Sequence, residues 1–394
     1  MDTNINPDSV LITPAHRVEC VEEYYFSLKL KEIARMNEQG ADVINLGIGS
    51  PDLPPSDATI KALCNCAMAA DSHGYQSYIG IPELRNEFAI WYKKHYNVNL
   101  NSANEILPLM GSKEGIMHIS MAFINEGDGV LVPNPGYPTY ASVSKLVGAK
   151  IINYSLKEEN GWHPNLLELE QANERGEISL ASIKLMWCNY PNMPTGANGS
   201  IELFKKLVNF GKKYNIIICH DNPYSFILND TPLSILSVPG AKDICIELNS
   251  MSKTFNMPGW RIGMAASNKQ FIEWILRVKS NMDSGMFRAM QMAAVEALKA
   301  PDSWYENMTA IYMGRRALAT AILEKAGAVV APGQVGLFLW GKVEKDCREI
   351  CDKILYNSKV FITPGVIFGL EGEKYVRISL CANEKMLEKA LARM

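Results

Sequence analysis

The chain of 394 residues has 39 Lys and Arg against 42 Asp and Glu, a formal net charge of -3, and 47% of its residues are hydrophobic. A chain of this length and composition can bury a large core. Its balanced charge and the lack of a basic run argue against a nucleic-acid partner. The amino terminus lacks a basic region followed by an apolar stretch, and no apolar run approaches the roughly 18 residues of a membrane span. We therefore expect a cytoplasmic protein without a membrane partner.

The nine cysteines predict reduced thiols, because their number is odd and several fall in strand-like apolar runs. The closely spaced pairs Cys64/Cys66 and Cys347/Cys351 resemble metal-binding spacings. Neither pair has a second ligand pair or a nearby histidine at zinc spacing. We expect no metal site.

Short apolar segments alternate with helical segments through the middle of the chain. The predicted strands cover residues 129–133, 151–154, 183–188, 216–220, 244–248 and 262–266. Between two of them, Ser200 can cap a helix in which Ile201, Phe204 and Leu207 recur at helical spacing. This alternation predicts an α/β fold whose central sheet is mostly parallel and flanked by helices.

Beyond about residue 300 the pattern changes. One long helical segment follows, with shorter strands near 337–341 and 376–379, and this pattern is typical of a smaller α+β unit. A proline-rich turn at 51–55 separates the amino-terminal arm from the part that follows. We therefore predict a large domain over residues 56–295, and an amino-terminal arm and small domain over residues 1–55 and 296–394.

Polar residues follow several of the strands, at the sheet edge where ligands bind in open α/β folds. Gly111, Ser112 and Lys113 precede a helical stretch predicted over 116–124, and could offer backbone N–H groups to an anion. An ordinary strand-to-helix turn would look the same. Tyr137 lies between prolines and could equally be a core residue. Asp221 ends a buried strand, where it needs a cationic partner or a capping role.

The segment 249–263 is the most informative part of the chain. Lys253 lies between two predicted core strands, where a charged amine is costly unless it is used. A lysine with a lowered pKa attacks aldehydes, and a Schiff base with pyridoxal phosphate (PLP) is a common product. A lone lysine is more often a solvated surface residue. Here Ser250, Ser252 and Arg261 could hold a phosphate beside the amine, which favours the cofactor interpretation.

This segment resembles the lysine signature of the class I and II aminotransferases, because Ser250, Lys253 and Arg261 fall at the family's spacing. Further motifs in family order extend the resemblance from Gly47 to Arg377. It implies a fold type I PLP-dependent transferase in which Lys253 is the catalytic residue. The cofactor-binding residues that it implies are Gly111, Ser112, Lys113, Tyr137, Asn192, Asp221, Tyr224, Ser250, Ser252, Lys253, Arg261 and Tyr75.

The resemblance also implies individual roles. Tyr137 stacks on the cofactor's pyridine ring, Asp221 pairs with its protonated nitrogen, and Tyr224 donates to its phenolic oxygen. Tyr75 lies in the segment 73–85, which resembles the family's segment that crosses a dimer interface. It corresponds to a tyrosine that contacts the phosphate of the neighbouring subunit. A homodimer with shared active sites is therefore implied.

Two further residues would bind the substrate, an amino acid or a 2-oxo acid. Gly49 lies in a glycine segment over which the substrate carboxylate binds, since a missing side chain permits close approach. Arg377, between apolar residues of a short strand, would grip the α-carboxylate. Similarity favours the aspartate and LL-diaminopimelate branches, and thus an acidic or carboxylate-bearing substrate. Candidate side-chain contacts are Tyr24, Tyr25 and Phe26, with Lys279, Ser284 and Arg288 from the partner.

One position departs from the family pattern. In the turn 189–196, Met193 stands where the family has an asparagine that donates a hydrogen bond to the cofactor's phenolic oxygen. A methionine sulfur cannot donate. Asn192 is adjacent, although neighbouring side chains need not point the same way. With Tyr224 as the main remaining donor, we hypothesise that the Schiff base titrates at a higher pH than in relatives with the asparagine.

The predicted function is PLP-dependent transamination between an L-amino acid and a 2-oxo acid, with ping-pong kinetics. One alternative is a PLP-dependent carbon-sulfur lyase, because the same fold supports other outcomes. An alternative of another class is a PLP-binding regulator with a degenerate site, which Met193 would suit. The chain has no added helix-turn-helix domain or basic face that would support a regulator.

Overall fold

The computed structural model describes residues 12–21, 23 and 25–394. Within these residues the helices are α1 (His16–Glu19), α2 (Tyr25–Glu38), α3 (Asp57–Ala67), α4 (Pro82–Tyr96), α5 (Ser112–Phe123), α6 (Pro138–Leu146), α7 (Leu166–Glu174), α8 (Ile201–Tyr214), α9 (Met251–Thr254), α10 (Lys269–Lys279), α11 (Arg288–Leu298), α12 (Asp302–Lys325), α13 (Cys347–Ser358) and α14 (Glu384–Arg393). The strands are β1 (Ile44–Asn45), β2 (Ile106–Leu109), β3 (Gly129–Asn134), β4 (Lys150–Ser155), β5 (Ile183–Asn189), β6 (Ile217–Asp221), β7 (Cys245–Ser250), β8 (Gly263–Ala266), β9 (Val329–Val330), β10 (Phe338–Lys342), β11 (Val360–Phe361), β12 (Thr363–Pro364) and β13 (Tyr375–Ser379).

A seven-stranded sheet in the order β2-β8-β7-β6-β5-β3-β4 forms the centre of the fold. The strands from β7 to β4 run parallel to one another. Strand β8 is antiparallel to both of its neighbours, β2 and β7, and so runs opposite to the other six strands of this sheet. Strand β7 is buried along its whole length, as expected for a sheet covered on both faces. The predicted α/β fold with a mostly parallel sheet is confirmed.

The helix α8 shows how the sequence builds this sheet. The Ser200 hydroxyl accepts a hydrogen bond from the backbone N–H of Leu203 at 3.1 Å, which caps the start of the helix. Phe204 lies on the buried face, and Asn215 in the left-handed conformation ends the helix. The chain then enters β6, so that Asp221 lies at the carboxyl end of the sheet.

A second, antiparallel sheet in the order β12-β13-β10-β9 lies in the carboxyl-terminal part of the chain. Strand β1 from the amino-terminal part pairs with β11. Ile44 and Leu46 join Phe338 and Ile378 in one apolar cluster. Helix α11 continues to Leu298 and so crosses the boundary proposed near residue 295. The division into two domains stays a prediction.

Two element boundaries differ from the sequence prediction for a local reason. Helix α5 begins at Ser112, before residue 116, because Gly111 turns the chain with a φ of +87°. Strand β8 begins at Gly263, after Arg261 adopts the left-handed conformation with a φ of 58°. Both turns aim polar groups at the carboxyl edge of the sheet.

The nine cysteines are all free thiols, and Cys188, Cys219 and Cys245 are buried. This arrangement is consistent with reduced thiols, which stay a prediction. Within residues 12–21, 23 and 25–394, no helix combines the length and apolarity that crossing a membrane requires.

Candidate active site

A cavity of about 360 Å³ opens at the carboxyl ends of β5, β6 and β7, facing strand β13. Most of the predicted site residues line it. These are Gly49, Ser112, Lys113, Tyr137, Asp221, Tyr224, Ser250, Ser252, Lys253, Arg261 and Arg377. Residues that are distant in sequence thus meet at the sheet edge where ligands bind in open α/β folds.

Lys253 lies in the short helix α9, between β7 and its antiparallel neighbour β8. Burial lowers the pKa of its amine, and the nearby cations Arg261 and Arg377 lower it further. The amine donates a hydrogen bond to the backbone carbonyl of Gly49. A buried amine with a lowered pKa is neutral more often than a surface lysine, and is therefore a better nucleophile and base.

The two carboxylate oxygens of Asp221 differ in their hydrogen bonds. Its Oδ2 accepts a hydrogen bond from the Tyr140 hydroxyl at 2.8 Å. Its Oδ1 is buried and has no hydrogen-bond partner among the described residues. Burial raises the pKa of Asp221 to about 6, although the Tyr140 hydrogen bond opposes this shift. A cationic ring nitrogen in the cavity would satisfy Oδ1 and favour the ionised carboxylate, so the site fits the pyridine end of PLP.

A buried network supports the strand that carries Asp221. Glu247, in β7, accepts from the Tyr92 hydroxyl at 2.8 Å and lies 2.9 Å from Nδ1 of His220. Nε2 of His220 lies 2.9 Å from the carbonyl oxygen of Tyr190. A carbonyl oxygen can only accept, so this contact is a hydrogen bond in the forms of His220 that carry a proton on Nε2. The network fixes the histidine directly before Asp221 and so limits movement of the carboxylate.

The opposite end of the cavity collects donors for an anion. Helix α5 starts at Ser112, so its positive end faces the cavity. Nη1 of Arg261 lies 3.4 Å from the hydroxyl of Ser252, and the hydroxyl of Ser250 accepts from the Ser252 N–H at 3.2 Å. Gly111 has a φ of +87°, which residues with a side chain rarely adopt, and a Cβ atom there would lie 2.3 Å from Nη2 of Arg261, so that the guanidinium would have to move. These groups fit the phosphate of PLP.

Two tyrosines border the space between these ends. Tyr137 packs edge-on against Tyr140, with 5.5 Å between ring centroids. Burial raises the pKa of Tyr137, and raises that of Tyr224 far above its ordinary value. Both hydroxyls therefore stay protonated at neutral pH, and Tyr224 can donate a hydrogen bond as predicted.

Arg377 enters the cavity from β13. Its guanidinium carbon lies 4.0 Å from the ring centroid of Phe338 and 4.6 Å from that of Phe368. Its Nη2 donates to the carbonyl of Gly47 at 2.5 Å. A Cβ atom on Gly49 would lie 2.2 Å from the ring of Phe338. The glycine segment and the arginine are thus packed against the same aromatic ring.

Three of the predicted site residues, Gly111, Asn192 and Tyr75, do not line the cavity. Gly111 does not line the cavity but touches it through Arg261. The Asn192 side chain accepts from the Thr195 hydroxyl at 2.7 Å, within its own turn. Tyr75 is 95% exposed, on the surface of the subunit. The cofactor and substrate roles of all the predicted site residues stay predictions.

The residues predicted to contact the substrate side chain differ in their positions. Phe26 lines the cavity, whereas Tyr24 lies outside the described residues. Lys279 is buried and pairs with Asp283 at 2.6 Å. The possible ligand atoms of Asp283, Glu114 and His118 lie within 4.8 Å of one another. The ammonium group of Lys279 already neutralises that carboxylate, and we assign no metal there.

Sequence reasoning missed several cavity residues, among them Tyr140, Asn189 and Phe338. Asn189 ends β5 just as Asp221 ends β6, so the strand-end rule could have found it. Tyr140 lies three positions after Tyr137 in the chain, a spacing that a helix beginning at residue 138 could have suggested. Phe338 has no such signal, because it reaches the cavity only through the packing of the second sheet.

Comparison with known proteins agrees with this geometry. The family model for aminotransferase class I and II matches residues 41–394. An LL-diaminopimelate aminotransferase of Dehalococcoides mccartyi is 40% identical over 382 residues, covering 96% of this chain and 97% of that protein. One from Aquifex aeolicus is 40% identical over 379 residues, covering 95% and 96%. The structure of substrate-bound BacF from Bacillus subtilis has a TM-score of 0.91 and 33% identity, and covers 98% of this chain and 97% of that chain.

These matches bear on the competing interpretations. They favour transamination over carbon-sulfur lysis and over a regulator, and they confirm the resemblance that began at Lys253. Oδ1 of Asp221, which has no hydrogen-bond partner among the described residues, fits the ring nitrogen of the cofactor that this family uses, and the donors around Arg261 fit its phosphate. The chain belongs to the class I and II aminotransferases, and it is a PLP-dependent aminotransferase.

Proposed function

We propose that the protein moves the α-amino group of an L-amino acid with an acidic or carboxylate-bearing side chain to a 2-oxo acid. Aspartate, glutamate and LL-diaminopimelate are the first candidates as donors. The observation that carries this proposal is the cavity that holds the Lys253 amine, the Asp221 carboxylate and the Arg377 guanidinium. The relatives from Dehalococcoides mccartyi and Aquifex aeolicus are LL-diaminopimelate aminotransferases, which supports LL-diaminopimelate as the first donor to test.

Each of these residues has a distinct task in the proposed reaction. PLP, when bound, supplies an electron sink that makes the substrate's α-proton acidic. Asp221 would hold its ring nitrogen, and Arg261 with Ser252 would hold its phosphate. Arg377 would bind the α-carboxylate and so fix the orientation of the α-carbon. The lowered pKa of Lys253 suits its Nζ to accept and return the proton near neutral pH.

A panel of amino donors against 2-oxoglutarate tests the substrate. We expect LL-diaminopimelate or aspartate to give the highest kcat/KM, with the parallel double-reciprocal lines of ping-pong kinetics. Glutamate is tested with oxaloacetate as the acceptor, because with 2-oxoglutarate it gives no net reaction. A control without any oxo-acid acceptor should release no pyruvate from cystathionine. Preference for a donor without a side-chain carboxylate would contradict the proposed substrate class, and pyruvate release would support the lyase instead.

One observation favours a second class of donor. The rings of Phe26, Phe338 and Phe368 border the cavity around Arg377. Aromatic walls suit apolar and aromatic side chains better than a second carboxylate. Phenylalanine and tyrosine therefore belong in the panel, and they should exceed aspartate if these rings contact the substrate side chain.

We also propose a homodimer in the cytoplasm. The exposed ring of Tyr75 supports shared active sites, because it is free of the subunit's own cavity and could reach that of a partner. The chain on either side of Tyr75 is packed against its own subunit and so holds the ring in place. The His73 ring stacks on Phe287 at 5.8 Å, and a Cβ atom on Gly285 would lie 2.7 Å from the Ser77 carbonyl oxygen. Free thiols are consistent with a reducing compartment. Neither nucleic acid nor a membrane is among the proposed partners.

Subunit complementation tests the shared site. Tyr75→Ala and Lys253→Ala are each expected to lower activity strongly as pure proteins. In a mixed dimer one site would contain neither substitution, so co-expression should restore a substantial share of the activity. Sedimentation of the wild type as a monomer, or no recovery in mixed dimers that are shown to form, would refute this arrangement.

A further inference from the structure

Met193 contacts the arginine that is proposed to bind the substrate. Its Sδ lies 3.1 Å from Nη1 of Arg377, close enough for an N–H···S hydrogen bond. Met193 is 5% exposed and Arg377 is 3% exposed, so solvent hardly competes for this contact. Met193 also lines the cavity itself. The thioether therefore meets the guanidinium inside the active site.

Both partners of this contact are held by separate parts of the fold. The backbone N–H of Met193 donates to Oδ1 of Asn189 at 2.7 Å, which ties it to the end of β5. Arg377 lies in the middle of β13, opposite Thr363 of β12 and Trp340 of β10. The contact thus joins the edge of the large sheet to the second sheet.

The contacts of the Arg377 guanidinium show what the Met193 thioether can contribute. The rings of Phe338 and Phe368 lie within cation-π distance of the guanidinium carbon, and Gly47 accepts from Nη2. A guanidinium has five N–H donors in a fixed plane, so it can keep protein acceptors while it binds a carboxylate. A thioether is a weak acceptor that helps to fix this plane without competing strongly for the proton donors.

We propose that Met193 is a positioning residue for Arg377, and that position 193 therefore serves substrate binding rather than the cofactor's oxygen. A methionine can accept from the arginine but cannot donate to the cofactor. This inference rests on the proposed function, because it takes Arg377 as the site of the substrate carboxylate. It explains how the chain keeps a useful contact at the one position where its turn departs from the family pattern.

Titration of the PLP-loaded protein with succinate, an unreactive carboxylate, tests the inference. Met193→Leu keeps the size of the side chain and removes the acceptor, so Kd for succinate should rise roughly three- to tenfold, the effect of losing one modest hydrogen bond. Met193→Gln restores an acceptor and should return Kd to within about twofold of the wild type. KM for the amino donor should follow the same order, with kcat changing less.

A second readout separates positioning from a general structural effect. Because neither Met nor Leu can donate a hydrogen bond, the pH midpoint of the bound cofactor's absorbance should be the same in the wild type and Met193→Leu. Met186→Leu makes the same chemical change in the buried core of β5. This control should leave both Kd and the midpoint unchanged.

The outcomes are distinguishable. An unchanged or tighter Kd in Met193→Leu, with succinate binding still lost in Arg377→Leu, would overturn the inference and leave the proposed function standing. A shift of the absorbance midpoint in Met193→Leu would also overturn it, since position 193 would then act on the cofactor. Succinate binding that survives in Arg377→Leu would contradict the proposed role of Arg377, and the inference would fall with it.

Discussion

We expect Asp221 to lower the free energy of unfolding of the cofactor-free protein at neutral pH, compared with the variant Asp221→Asn. Its carboxyl is buried, with one oxygen unpaired among the described residues, and its pKa rises from 3.8 to about 6. A shift of about two units corresponds to roughly 3 kcal/mol. The substitution Asp221→Asn removes the ionisable group and keeps an amide oxygen that can accept from Tyr140. At pH 7 the cofactor-free variant should therefore be more stable than the wild type by up to about 3 kcal/mol.

The sign and the pH range follow from proton binding. Below pH 3.8, the ordinary pKa of the group, Asp221 is protonated in both the folded and the unfolded chain, and its ionisation contributes no difference. Between about pH 4 and pH 6 the unfolded chain loses this proton and the folded chain keeps it, so the wild type loses stability as the pH rises. Above about pH 6 the difference from Asp221→Asn should be constant.

Urea unfolding of both cofactor-free proteins between pH 4 and pH 8 measures this difference directly. Asp230→Asn removes an exposed carboxylate and serves as the control. PLP should reverse the order, because only the ionised aspartate can pair with the ring nitrogen. A stability difference that does not depend on pH, or a less stable Asp221→Asn at pH 7, would refute the reasoning.

Two further predictions concern the ends of the cofactor site. Tyr140→Phe removes a charge-assisted hydrogen bond that lowers the pKa of Asp221. The pH at which the protein has lost half of its PLP should therefore rise by about one to two units. Dialysis at a series of pH values measures this midpoint, and an unchanged midpoint would count against the prediction. Gly111→Ala puts a Cβ atom 2.3 Å from Arg261 at a positive φ, and should weaken PLP binding at least about tenfold in a fluorescence titration. Gly127→Ala has the same φ of +87° but its Cβ atom would meet nothing within 4 Å, so it is the control, and equal affinities of the two variants for PLP would refute the argument.

The order of elements could be predicted from the sequence because it depends on local patterns. Apolar runs of strand length, with a capped amphipathic helix such as that beginning after Ser200, predict a parallel α/β sheet. The strand-end rule found Asp221, and the spacing of Ser250, Lys253 and Arg261 found the anion end of the site. These signals lie within a few residues of one another, so no knowledge of distant contacts was required.

Other features could not be predicted, because they depend on contacts between distant segments. Phe338 and Phe368 surround Arg377 only after the second sheet has packed against the large one. Asn192 adjoins the unusual Met193 in the sequence, yet its side chain forms hydrogen bonds within its own turn, with Asn189 and Thr195. A side chain's direction is set by such packing, and the sequence alone does not reveal it.

By itself, the sequence determined the fold class and the family, and it singled out the lysine that we propose as the catalytic residue, since local periodicity and motif spacing are encoded along the chain. The tertiary structure decided which charges are buried and what each one meets. It left one oxygen of Asp221 without a hydrogen-bond partner among the described residues, lowered the pKa of Lys253, and placed the sulfur of Met193 against Arg377. Burial and charge proximity are properties of the assembled fold, because desolvation and Coulomb energies depend on distances that exist only after folding.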